Sequence, residues 1–74
     1  VSNIEALHRA AIAAALRYDE ANHEAVVAAE RAKSMLAADL AASLKSDRDC
    51  HRAFVEKEAA TKKYREALYA EVKP

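Results

Sequence analysis

Glycine is absent from this chain of 74 residues, and its single proline is the terminal Pro74. Turns that need a positive φ usually recruit glycine, and prolines punctuate loops, so the chain has few marked places to bend. Phosphate-cradling and nucleophile-elbow motifs that depend on glycine are excluded with it. The lone Cys50 cannot form an internal disulfide and suits a reducing compartment. The aromatic content is small: Tyr18, Phe54, Tyr64 and Tyr69. Neither sign of charge dominates, since 12 basic and 12 acidic residues cancel, so no strong overall field steers the chain to a polyanion or a membrane. No apolar run approaches the roughly 18 residues of a membrane span, and no signal peptide is visible. An intracellular setting, cytoplasmic or nuclear, is the expectation. A start at Val1-Ser2 without methionine is expected of a fragment of a larger protein.

Alanine supplies 20 of the residues, with Leu, Glu, Lys and Arg making up much of the rest. These are the strongest helix formers, and such a composition with helical periodicity marks a long helix or coiled coil. Ser2-Asn3-Ile4-Glu5 has the form of a capping box, which sets a helix start at the beginning of the chain. From there Ile4, Leu7, Ala11, Ala14, Tyr18, Ala21, Ala25, Ala28, Ala32 and Met35 recur at alternating steps of three and four. That is the seam pattern of a coiled coil.

After Met35 the frame moves. Leu36, Leu40 and Leu44 follow at steps of four, and Cys50, Phe54, Thr61, Tyr64 and Leu68 continue in a displaced frame. Tyr18, Leu36, Phe54 and Val72 fall on one line of a straight helix, because 18 residues make five turns. The fold expected is therefore all-α: residues 1–74 as a single long helix whose supercoil relaxes near the middle, paired in a coiled coil as a parallel dimer. The oligomer seam expected comprises Ile4, Leu7, Ala11, Tyr18, Ala25, Ala32, Leu36, Leu40, Cys50, Phe54, Thr61 and Leu68. The alternative is an antiparallel helical hairpin or bundle, broken near residues 45–49. There Ser46-Asp47-Arg48-Asp49 resembles a second capping box and Asp47 interrupts the apolar stripe. The lack of any C-cap glycine favours the continuous helix. Ile12, Leu16, Val26 and Val27 lie off the seam, either as incidental surface residues or as a widening of the stripe for a larger bundle.

Candidate chemistry is sparse. Glu5-x-x-His8 and Glu20-x-x-His23 have the spacing by which di-iron bundles aim a carboxylate and an imidazole at one metal pair. Glu20 and His23, however, point away from the seam, and no bridging glutamates accompany them. Solvated side chains are the simpler reading, so no metal or other cofactor is expected. Cys50 and His51 are adjacent and point about 100° apart on a helix, which aims the imidazole poorly at the thiol. A seam cysteine beside an exposed Asp47–His51 pair accounts for this cluster. Lys57, Lys62, Lys63 and Arg65 form the most basic stretch and could present a face to an acidic partner such as a microtubule or nucleic acid. Interleaved Glu56, Glu58 and Glu66 also make it an ordinary solvated surface.

The function expected is thus structural and non-enzymatic. Copies of the chain associate with one another and space the flanking domains of a scaffold of cytoskeletal, centriolar or chromosome-segregation type. The alternatives are a binding module that uses the basic 57–65 face, and a metal-binding helical bundle. Neither a small molecule nor a membrane is expected as a partner.

Overall fold

The computed structural model describes residues 3–72. Helix α1 runs Asn3–Arg31, a single 3-10 turn covers Ala32–Ser34, and helix α2 runs Ala37–Val72. No strand occurs among the described residues, so the all-α expectation holds. The expected capping box at the start involves Ser2, which lies outside the described residues.

The continuous helix is corrected: α2 folds back along α1 as an antiparallel hairpin with extents of 58 × 17 × 12 Å. The break expected near residues 45–49 in the alternative is corrected too, because those residues are uninterrupted helix within α2. Asp47 does not break the helix because it is exposed and costs the seam nothing. A pairing of full-length rods in parallel register loses its basis once the chain turns back on itself.

The turn is built without glycine. Met35 takes the left-handed conformation, with φ 62° and ψ 15°, and its N–H donates to the Ala32 carbonyl at 3.0 Å. A residue bearing a Cβ costs about 1–2 kcal/mol in that region. Polar contacts around Met35 hold the reversal. The Ser34 hydroxyl accepts the Leu36 N–H at 3.3 Å and donates to the Asp39 carboxylate at 2.6 Å. Asp39 sits in the first turn of α2, where a negative charge also meets the positive end of the helix dipole.

The expected stripe of α1 is the face it buries. Ile4, Leu7, Ala11, Tyr18, Ala21, Ala25, Ala28 and Ala32 are half-buried, and Ala14 is fully buried. The face that α2 turns toward them follows the same alternation of three and four: Asp39, Ser43, Ser46, Cys50, Ala53, Lys57, Ala60, Tyr64 and Ala67. Ala14 and Ala53 are the buried apolar residues, so the seam is thin. Small side chains dominate the middle of this contact, and the larger Ile4, Leu7 and Tyr64 enter it toward the end away from the turn. Ring contacts fix the register. Tyr18 meets Phe54 edge-on with centroids 5.7 Å apart, and His8 stacks on Tyr64 at 4.8 Å.

Candidate interaction face

The hairpin divides the expected seam residues into two groups. Ile4, Leu7, Ala11, Tyr18, Ala25, Ala32, Cys50 and Thr61 do lie half-buried along the contact between α1 and α2. Leu36, Leu40, Phe54 and Leu68 lie outside or at the border of that contact, Phe54 still meeting Tyr18 edge-on. They remain 62%, 39%, 42% and 36% exposed respectively, and Met35 at the turn is 74% exposed. Size was a misleading guide to burial in α2. Its seam runs mainly through Ser43, Ser46, Ala53, Ala60 and Ala67, with Lys57 and Tyr64 among them, and Leu40, Phe54 and Leu68 are displaced to one side.

That displacement gives the hairpin two unlike flanks. On one, a shallow groove is lined by Tyr18, Asn22, Val26, Asp47, His51 and Phe54. Leu40 and Leu68 stand two heptads before and after Phe54, Ile12 stands two heptads before Val26, and Leu44 stands one heptad before His51. Residues spaced by heptads keep the same position relative to a packed partner helix, so all of them belong to this flank. Near the far end Arg65, Leu68, Tyr69 and Val72 line a further apolar depression. The opposite flank is charged. Its groove is lined by His23, Glu24, Arg31 and Asp39, together with Val27, Ala28 and Ala42. Farther along it Arg17 reaches Glu56 across the two helices at 4.0 Å.

The residues singled out for chemistry are mostly engaged in local packing or dispersed. His8 is stacked on Tyr64 and so is held against α2. Glu20 and His23 are exposed. No group of three or more His, Cys, Asp or Glu side chains placed to hold a metal ion occurs among the described residues. Cys50 lies half-buried, its sulfur 3.9 Å from the Asn22 side-chain oxygen. Asp47 and His51 border the same groove without forming a closed pocket.

The basic stretch does not present one face. Lys57 turns into the seam and sits over the Tyr18 ring, 4.9 Å from its centroid. Lys62 pairs with Glu66 at 3.9 Å on the outer surface. Lys63 is exposed beside the charged flank, and Arg65 borders the apolar one. Their helical positions send the four cations in different directions around α2.

No helix among the described residues is long and apolar enough to cross a membrane. Comparison with known proteins gives no match, whether to a family model, a curated protein or a solved structure. The functional reading therefore rests on the surface itself.

Proposed function

We propose that the hairpin is a structural, non-enzymatic self-association module that joins copies of the chain and sets the spacing of whatever it is attached to. The observation that carries this reading is the inversion of side-chain size. Alanines and serines fill most of the internal seam, while Ile12, Val26, Leu40, Leu44, Phe54 and Leu68 lie outside it. A chain of this length rarely supplies a sufficient core alone, and oligomerisation is one of the usual remedies.

Surface area supports the same conclusion. A compact monomer of 8.1 kDa is expected to expose about 4,500 Å². The hairpin exposes 5835 Å². The excess, roughly 1,300 Å², exceeds the ~800 Å² that each partner contributes to a standard stable interface. The radius of gyration of 16.8 Å likewise exceeds the ~11 Å of a compact domain of this length.

Sedimentation equilibrium over a range of concentrations tests the proposal. The expected result is a reversible increase in mass to twice the chain mass or a higher multiple, accompanied by a concentration-dependent melting temperature. A single-chain mass up to hundreds of micromolar, with full helicity, would rule the proposal out.

A further inference from the structure

We infer that the self-association surface is the Phe54 flank, and that it receives a second copy of this chain with both turns at the same end, as an antiparallel four-helix bundle. This rests on the self-association reading above and specifies its face and orientation. Two features of the flank, its apolar spacing and its charge, select a second copy as the occupant.

The first is the spacing of its apolar residues. Leu40, Phe54 and Leu68 recur at equal intervals along α2, and Ile12 and Val26 on α1 fall between their levels. Tyr18 lies across from Phe54, and Asn22 from Cys50, which fixes the relative height of the two helices. Ile12 and Val26 thus stand at heights between Leu40, Phe54 and Leu68, while Phe54 itself is level with Tyr18. A copy rotated about the long axis of the hairpin sets α1 over the second copy's α2, so that Ile12 and Val26 of one copy fall between Leu40, Phe54 and Leu68 of the other.

Charge decides the orientation. Rotation about the long axis preserves height, so residues level with each other within one hairpin stay level across the new contact. On the outer edge of the flank α1 carries Glu5, Ile12, Asp19 and Val26, and α2 carries Leu44, His51, Glu58 and Arg65. Within two residues of matching height, about 3 Å along the helix, Glu5 meets Arg65 of the second copy, Asp19 meets His51 and Val26 meets Leu44. Ile12 meets Glu58, the one pairing of the four without complementarity. Placing the turns at opposite ends, centred on Phe54, would set Asp19 against its own copy. Like charges so placed are penalised, and opposite charges fix register.

The macrodipoles suit the bundle in either orientation, because every neighbouring pair of helices across the new contact runs antiparallel, as within the hairpin, so charge alone selects the end. Helix ends of opposite polarity then alternate around the bundle.

The test uses the full chain and reads mass, helicity and one distance. Leu40→Lys and Leu68→Lys are expected to raise the dissociation constant at least tenfold, whereas Val27→Lys on the charged flank leaves it within twofold. Leu40 and Leu68 border the seam, so Leu44→Lys, at a 65% exposed position, serves as a second probe that spares the hairpin. Arg65→Glu should weaken association several-fold, and adding Glu5→Arg should restore it. Spin labels on Lys33→Cys, in a Cys50→Ser background, should lie apart by well under half of the 58 Å hairpin length. Separations approaching that full length would overturn the same-end arrangement. A dimer lost with Val27→Lys but kept with Leu44→Lys and Leu68→Lys would overturn the face while leaving self-association standing. A monomeric wild-type chain would remove both.

Discussion

The seam between the two helices and the flank beside it are made from opposite materials. The seam is mostly alanine and serine, with Ile4, Leu7, Cys50, Lys57 and two tyrosines, and only Ala14 and Ala53 along it are buried among the described residues. The flank carries leucine, isoleucine, valine and phenylalanine in partial contact with water. A buried methyl group contributes little area, and burial is worth roughly 25 cal/mol per Å². The seam therefore defines geometry more than it supplies stability. The larger side chains keep unused driving force, and Ile12, Val26, Leu40, Leu44, Phe54 and Leu68 keep it on one flank, while Leu16, Val27 and Val55 are exposed elsewhere. In this molecule the residues that fix the fold and the residues with most to gain from burial are different sets.

The largest effect that would break this comparison comes from enlarging the seam. Ala14→Leu inserts a branched side chain where the native residue is only 1% exposed. Overpacking of that kind costs about 1–3 kcal/mol, and thermal denaturation by circular dichroism at low concentration should show the loss. Leu44→Ser on the flank, measured under the same dilute conditions, should shift intramolecular stability by no more than about 0.5 kcal/mol. Equal effects would show that the two surfaces are not distinct.

Tyr18→Leu is next in size. Tyr18 joins seam and flank through its edge contact with Phe54 and its position beneath Lys57. Losing an aromatic pair and a cation–π contact together should cost roughly 1–2 kcal/mol. Double-mutant cycles with Phe54→Leu and with Lys57→Met would divide that loss between the two contacts.

Met35→Gly sharpens the comparison by touching neither surface. It relieves the left-handed backbone at the turn, where φ is 62°. The expected gain is about 1 kcal/mol, a rise of roughly 4–8 °C in melting temperature. The dissociation constant of the self-associated form should stay unchanged. A loss of stability would mean that the turn is held elsewhere.

The smallest effect belongs to the charged flank. Arg17 and Glu56 approach at 4.0 Å with both side chains more than half exposed. Exposed pairs of this kind contribute about 0–1 kcal/mol, and salt screens them. Arg17→Ala should shift the midpoint of urea denaturation by less than the equivalent of about 0.5 kcal/mol, with any difference vanishing in high salt.

How far the sequence could be read differs between the helices. In α1 the alternation from Ile4 to Ala32 predicts the packed face residue by residue. In α2 the same method selects Leu36, Leu40, Phe54 and Leu68, and the true seam runs through smaller residues, one position before Leu40, Phe54 and Leu68. The slip of frame after Met35 is a real signal, and it marks the reversal of the chain at 32–36. It reads as a relaxed supercoil because the turn contains neither glycine nor proline and offers only Ser34 as a turn residue. Ser46-Asp47-Arg48-Asp49 imitates a helix start more convincingly than Lys33-Ser34-Met35-Leu36 does, yet it lies in mid-helix.

Composition and period alone settled that the described chain is helical and that α1 has one apolar face, because propensity and side-chain spacing are local properties. Where the chain reverses, and which side of α2 meets α1, was decided only in three dimensions. A turn without glycine forms when two long helices gain more by packing than one methionine loses in a left-handed conformation. Once alanine-lined α1 sets a close approach, mostly small side chains fit opposite it. The large apolar ones of α2 are turned aside for a reason that α2's own sequence does not contain.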